Sequence, residues 1–219
     1  MNYTELTASI KAYCENDFPQ AVGAGGLTSA EQIARFVQQA EQRIYNSIQF
    51  PALRKNVTGS ATLNNKYLAT PVDWLATFSL ARINADGSYE YLLNKDVNYI
   101  REAFPFPATT GAPTHYAIFD ENTFILGPTP DASYSMELHY FYYPTSITTA
   151  GTSWLGTNLD SLLLYGSLLE AASFMKSETD TVKNYTDRYN EAFTMAKQLG
   201  DGKDRQDAYR SGQVRYPVK

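Results

Sequence analysis

The chain is poor in the residues that build redox and metal chemistry. It has one cysteine, Cys14, and two histidines, His115 and His139, in 219 residues. A single thiol excludes an internal disulfide framework and any site that needs paired thiolates. With so few imidazoles beside it, a Cys/His zinc site is all but excluded. Charged residues make up only 19% of the chain and sum to a formal −5. That balance argues against a chain built to hold nucleic acid, because such affinity comes from a surplus of Lys and Arg set against phosphates. No stretch of about 18 consecutive apolar residues occurs. The opening MNYTELTASIKAYCEND has acidic residues and no apolar run, unlike a signal peptide. A soluble protein made in the cytoplasm is expected, with no internal repeat and no low-complexity tract.

What is abundant is aromatic: 17 Tyr, 11 Phe and 2 Trp, within a hydrophobic content of 43%. A chain of this length buries about 70% of its unfolded surface and folds without a staple. Its character changes twice, near Pro51 and near Tyr143-Pro144.

Before the first change the period is helical. Leu6, Ile10 and Tyr13 follow Thr4, which is the expected N-cap of a short first helix. Asp17 to Leu27 holds Pro19 and three glycines and reads as a loop. Thr28-Ser-Ala-Glu31 then reads as a capping box, followed by an apolar face of Ile33, Phe36, Val37, Ala40, Ile44 and Ile48 that Pro51 stops. The opposite face carries Glu31, Arg35, Gln38, Gln39, Gln42 and Arg43. It suits water, or a contact between subunits, since glutamines can be buried against another polar face.

After residue 155 the helical period returns with Leu159, Leu162, Leu163, Leu169, Ala172 and Met175. Leu155, Leu164, Tyr165 and Leu168 make this helix apolar almost all round, which makes them candidates for a subunit interface. Ser177-Glu-Thr-Asp180 opens another amphipathic helix with Val182, Tyr185, Tyr189, Phe193 and Ala196, expected to end at Leu199-Gly200 with the glycine as C-terminal cap. None of these helices can hide its apolar face alone, so the N-terminal helices are expected to pack on the C-terminal pair.

Between Lys55 and Thr145 the period is two. Residues 56–62 and 67–70 flank Leu63-Asn64-Asn65-Lys66 and read as a hairpin. So do 78–83 and 89–93 around Asn84-Ala85-Asp86-Gly87-Ser88, and 115–119 and 123–126 around Asp120-Glu121-Asn122. The alternation from Tyr134 to Tyr143 predicts the longest strand. Asp96 to Phe104 reads as one short helix, followed by an irregular loop, FPFPATTGAP. Sixteen of the 30 aromatics fall in this block, as suits a half-buried pleated surface. The expected fold is therefore α+β: an antiparallel helical bundle from residues 1–54 and 146–199, an inserted antiparallel β-sandwich or partly closed barrel from 55–145, and an extended C-terminal arm from 200–219.

Catalytic patterns are weak. Asp73, Asp96, Glu102, Asp120, Glu121 and Glu137 could supply a hydrolase pair, but most occupy turns or helix starts, where carboxylates cap or solubilise. His115 and His139 have no nucleophile or acid at a recognisable spacing and are expected to sit on the aromatic surface of strands. Gly23-Ala-Gly25-Gly26 precedes a helix but lacks the Lys-Ser/Thr and the preceding strand of a phosphate loop. The triplets at Asn2, Asn56 and Asn184 match a glycosylation signal and mean nothing without secretion. Cys14 reads as a small core residue. Tyr140-Phe141-Tyr142-Tyr143 could stack single-stranded bases, but the block has 5 Lys and Arg against 9 Asp and Glu, so core and subunit interface suit it better.

The last 20 residues, GDGKDRQDAYRSGQVRYPVK, carry 5 basic and 3 acidic residues, leaving a net −7 on residues 1–199. They could fray in solvent. Tyr209, Val214, Tyr216, Pro217 and Val218 are costly in a solvated tail, however, and Arg205, Arg210 and Arg215 suit paired hydrogen bonds to carboxylates on a neighbour. With Lys219 they form the expected docking arm, whose extended reach is about 65 Å.

A set of strings in this order resembles the head-to-tail adaptor (connector) proteins of tailed bacteriophages. They are Ala40-Glu41-Gln-Arg43-Ile44-Tyr45, Pro51-Ala-Leu-Arg54-Lys55-Asn-Val-Thr-Gly59, Pro71-Val-Asp73-Trp-Leu75, Leu93-Asn-Lys-Asp96, Phe124-Ile-Leu-Gly-Pro128-Thr-Pro130, Tyr140-Phe-Tyr-Tyr-Pro144, Asp207-Ala-Tyr-Arg210-Ser-Gly212 and the final Arg-Tyr-Pro-Val-Lys. The chain is similar, more distantly, to tail tubular protein A of short-tailed phages. The resemblance implies a virion structural protein without enzymatic role, cofactor or metal, forming a ring, usually of twelve copies, beneath the portal protein. The helical part and arm would face the portal and neighbouring subunits, and the β module the nozzle or tail, where it could receive fibres. Double-stranded DNA would pass the lumen without specific binding, and no membrane is involved. Some adaptors are linked to cell-wall hydrolysis, but no hydrolase motif is present. A virion-carried cell-wall or glycan hydrolase and a carbohydrate-binding tail module are the alternatives.

Overall fold

A helix without a polar face must be surrounded, and one helix of this chain meets that condition. The computed structural model describes the backbone of residues 1–20 and 25–205 and the side chains up to residue 200. Seven helices and ten strands follow one another in it: α1 Tyr3–Cys14, α2 Ser29–Ser47, α3 Val97–Ala103, α4 Ile147–Ala150, α5 Trp154–Asn158, α6 Asp160–Met175 and α7 Thr179–Arg205, with all strands lying between α2 and α4. The chain divides into two units, Met1–Pro51 with Pro144–Lys219, and Ala52–Tyr143.

In the first unit α6 is the central helix, packed against α1, α2, α5 and α7. Leu162, Leu163, Leu164, Leu168, Ala171 and Ala172 are all buried. At Gly166 a Cβ would stand 3.2 Å from Ala40 Cβ and 3.3 Å from the Tyr189 ring, so the missing side chain is what lets α2 and α7 close on α6. Helix α2 starts with the expected capping box of Thr28 and Glu31, and its predicted apolar residues are all buried. Helix α1 begins earlier than expected. Asn2, not Thr4, is the N-cap, because its side chain accepts from Glu5 N–H while Glu5 accepts from Asn2 N–H.

Gly200 does not cap α7. The helix continues to Arg205, and a Cβ at Gly200 would already touch Gln49 O and Ile48 Cγ2 at 3.6 Å. These are ordinary van der Waals distances that a side chain would tolerate, so the glycine marks a helix interior and not a stop, and residues 200–205, expected to be extended, are helical.

Two buried polar residues on the apolar phase of α2 hold the connections. Gln32 Nε2 donates to the carbonyls of Phe18, Pro19 and Leu27 at 3.4, 3.1 and 3.0 Å. This fixes the loop before α2 and seats Phe18, only 1% exposed, against Phe36 and Phe174. Glu41, 3% exposed, accepts from Ile147 N–H at 3.0 Å and from the Ser146 side chain, and so ties α2 to the first helical turn after the β module.

The second unit is a sandwich. One sheet has the order β1-β10-β3-β4 and the other β2-β8-β7-β5, with β1 Arg54–Ala61, β2 Tyr67–Ala69, β3 Trp74–Ile83, β4 Tyr89–Tyr91, β5 Leu93–Asn94, β7 His115–Asp120, β8 Thr123–Gly127 and β10 Tyr134–Tyr142. The short pairs β5 with β7, and β6 Thr110–Gly111 with β9 Thr129–Pro130, are parallel; the other ladders are antiparallel. Leu80, Tyr116, Phe124, Leu126, Met136, Leu138 and Tyr140 form the core between the sheets. Along β7 and β8 the alternate residues Ala117 and Ile125 point the other way, onto Ile100 of α3. Arg82 lies on the same phase of β3 as Leu80, over the ring of Tyr134 at 5.1 Å and paired with Glu90.

The predicted hairpins β3–β4 and β7–β8 form. The first predicted hairpin does not: β1 pairs with β10 and β2 with β8, because the turn after Ala61 carries the chain from one sheet to the other. The longest strand is β3, with ten residues, and not β10, with nine.

Removing the acceptor from Ile147 N–H gives a direct test of the α2 tether. Glu41→Leu is expected to cost about 1–3 kcal/mol in urea denaturation at neutral pH, the penalty of a buried donor left unmade. Burial pushes the Glu41 carboxyl above its ordinary 4.5, against its hydrogen bonds with Ser146 and Ile147. The folded chain therefore holds this proton more tightly than the unfolded chain, and the associated stability is complete below 4.5 and lost as pH rises through the raised value. Glu41→Gln keeps an acceptor and lacks that loss, so its stability relative to wild type improves as pH rises from acid to neutral. Parallel pH curves for the two proteins would contradict this.

Candidate interaction surfaces

The residues expected to carry docking fall into three groups. Tyr209, Arg210, Arg215, Tyr216, Pro217, Val218 and Lys219 lie outside the described residues, and Arg205 is the last residue of α7. Leu155, Leu164 and Leu168 are covered by the chain itself, at 0, 8 and 0% exposure. Their apolar surface is spent on the helical unit's own core and leaves little for a neighbouring copy. Tyr165 is half-buried, edge-on to Tyr13 at 6.4 Å and 6.4 Å from Tyr185. Burial, with smaller contributions from Tyr13, raises its phenol pKa.

The polar face of α2 is exposed from Glu31 to Arg43. Arg43 pairs with Glu170 of α6, and Gln38 Nε2 donates to Thr148 Oγ1 at 3.1 Å. Gln39, Gln42, Arg43, Asn46 and Glu170 line a shallow polar recess of about 360 Å³. Such a face can bury against another polar surface with its hydrogen bonds exchanged rather than lost.

Four of the six carboxylates considered for hydrolysis, Asp73, Asp96, Asp120 and Glu137, have structural work. Asp96 caps α3 through Asn98 N–H, Asp120 accepts from Asn122 N–H in the β7–β8 turn, and Glu137 accepts from Tyr89 Oη at 3.2 Å. Among the described residues, no group of three or more His, Cys, Asp and Glu stands close enough to hold a metal ion, and no helix is long and apolar enough to cross a membrane. The histidines lie in aromatic company, His115 beside Tyr99 and Phe104 and His139 beside Phe78. Cys14 is half-buried, and desolvation raises its thiol pKa.

Asp73 has the most connections. One carboxylate oxygen pairs with Lys55 and the other accepts from Tyr140 Oη at 2.8 Å, while its carbonyl accepts from Tyr143 N–H at 2.9 Å. Lys55 also lies over the Tyr142 ring at 4.0 Å, and Arg54 over Phe78 and Phe141 at 4.0 and 4.9 Å. The chain passes into this unit at Ala52 and out at Tyr143, so Asp73 fastens both ends of the insertion. Burial alone would raise its carboxyl pKa, but Lys55 and Tyr140 outweigh it and the value is lowered. The Tyr140 phenol, desolvated and bonded to this carboxylate, is pushed up to about 12. Three of the family-like strings thus meet at one corner of the β module, for a structural reason.

Two recesses open on the β module. A cleft of about 400 Å³ has Phe104, Pro105 and Pro107 on its walls and the cations Lys66 and Arg101 beside them. A slot of about 270 Å³ opens between β1 and β2. The sequence reading missed both, since each is made by residues distant along the chain.

The family model for the SU10 adaptor protein matches residues 1–216. No curated protein matches the chain, and the more distant likeness to tail tubular protein A finds no counterpart in that match.

The Asp73 fastening yields a measurable pH signature. Tyr140→Phe is expected to cost about 1 kcal/mol and Asp73→Asn more, in thermal or urea unfolding at neutral pH. A lowered carboxyl contributes stability above its ordinary value of 3.8 that is lost as pH falls through the lowered one. The deficit of Asp73→Asn therefore shrinks in acid. A deficit that is constant from neutral pH to below that range would show that the carboxylate charge plays no part.

Proposed function

Because the chain belongs to the SU10 adaptor protein family, structural adaptors of phage, we propose that it forms a ring beneath the portal that joins the head to the tail and lines part of the DNA passage. The observation that carries this reading is a family match along virtually the whole chain. Other features support it. The body of residues 1–199 is acidic and the last 20 residues are basic, which favours docking of the tail on neighbouring copies and on the portal. An acidic wall around the passage would let DNA slide, because phosphate binding needs a surplus of Lys and Arg. The polar α2 face is available for contacts between copies, and the arm of Arg205, Tyr209, Arg210, Arg215, Tyr216, Pro217, Val218 and Lys219 is the docking element.

The capping, turn and ion-pair roles of Asp73, Asp96, Asp120 and Glu137 favour a structural chain over a hydrolase. Mixing full-length protein with portal rings and imaging the product by electron microscopy tests the proposal. The expected result is a closed ring of added density on one face of the portal, and no clearing in a cell-wall zymogram. Portal rings that stay bare at saturating protein would overturn the adaptor ring, and clearing would overturn the non-enzymatic role.

A further inference from the structure

The sandwich of the β module is open along one seam. Strand β1 is the edge of one sheet and β2 the edge of the other. The two lie close together, yet belong to different sheets. Between them Val57 and Leu68 wall a slot floored by Leu80, Phe124, Met136 and Leu138. Edge strands are normally blunted by charge, proline or a bulge. From Asn56 to Ala61 β1 has no charge and no proline, and its register against β10 is unbroken over eight residues. The strand is exposed from Lys55 to Ser60, with Val57 at 40%. A strand added along this edge would cover the slot with one apolar face and leave a polar face outside.

The chain contains such a segment beyond its described residues. In Gln213-Val214-Arg215-Tyr216-Pro217-Val218-Lys219, Val214, Tyr216 and Val218 share one face of an extended strand, and Arg215, Pro217 and Lys219 the other. Residues on one face of a strand also direct their N–H and C=O groups to one side. If Val214, Tyr216 and Val218 turn into the slot and bond β1, Pro217, which has no N–H, falls on the side that needs no partner. In that same strand direction the opposite phase would place the proline against β1 and the apolar residues in water, so the proline allows only the direction that aims the N–H and C=O groups of Val214, Tyr216 and Val218 at β1. Fourteen residues such as 206–219 would reach about 45–50 Å if fully extended. The arm is basic and the β module as a whole has 9 acidic against 5 basic residues, with the cations of β1, Arg54 and Lys55, confined to its first two positions.

We propose that residues 213–218 of one copy add as a strand to the outer edge of β1 in the next copy, with Val214, Tyr216 and Val218 filling the slot. Arm and seam are different patches, so the contact is heterologous, and repeated around an axis it closes a ring. The inference rests on the ring reading above and names the surface that its arm would occupy.

Cysteine cross-linking tests it on full-length chains carrying Cys14→Ser. One variant carries Gly59→Cys, where a Cβ meets open space; others carry Val214→Cys, Tyr216→Cys, Val218→Cys or Arg215→Cys. After assembly of mixed variants on portal rings and mild oxidation, Gly59→Cys is expected to form a mixed disulfide with at least one of positions 214, 216 and 218, at least about ten-fold above Arg215→Cys. Rings that assemble without that disulfide, or with Arg215→Cys linked equally well, overturn the strand addition and leave the ring reading standing. Failure of even the wild-type chain to assemble overturns both. A Gly59→Cys/Val214→Cys chain that links within itself as a dilute monomer shows the arm on its own seam and overturns the contact between copies.

Discussion

The apolar girth of α6 determines the architecture of the chain. A helix with leucines on every side cannot sit at a surface, and it needs partners on three sides. Those partners come from both ends of the sequence: α1 and α2 precede the β module, and α5 and α7 follow it. The β module is therefore an insertion whose two ends must be held together. The chain meets that demand twice, with Glu41 receiving Ile147 N–H in the helical unit and Asp73 fastening Lys55, Tyr140 and Tyr143 in the β unit.

These two acids carry opposite electrostatic signatures. Desolvation of Glu41 outweighs its hydrogen bonds with Ser146 and Ile147, so its proton is held more tightly in the folded chain. Asp73 is less buried and has Lys55, so it stays charged. The two fastenings therefore contribute stability with opposite pH dependence, Glu41 losing some as pH rises through its raised value and Asp73 as pH falls through its lowered one. Neither group needs a substrate to account for its environment, and their positions within the family-like strings fit a structural adaptor.

How much of this was legible in the sequence follows from the range of each interaction. Helix α2 could be read because its cap and apolar period are local. Gln32 and Glu41 stand on the apolar phase, at Phe36 minus four and Ile44 minus three, so their burial was readable there although their partners were not. Gly200 after an apolar period looks like a cap, since the sequence around it does not show that α7 runs on to Arg205. The Asn64-Asn65 turn was visible, but which strands its flanks pair with depends on β8 and β10, more than 50 residues away. The all-round apolar character of α6 was also plain. That it is covered by its own chain, leaving Leu155, Leu164 and Leu168 little to offer a neighbour, depends on tertiary packing. Asp73 looked like one acid among six until Lys55 and Tyr140 were brought to it.

The central claim is that the helical unit completes its own core and that assembly uses other surfaces. Amide hydrogen exchange on the free protein and on the portal-bound protein tests this most directly. Helix α6 is expected to be protected to the same degree in both, with new protection at residues 54–61 and 206–219 on assembly. An α6 that exchanges freely in the free chain and becomes protected only on the portal would contradict it.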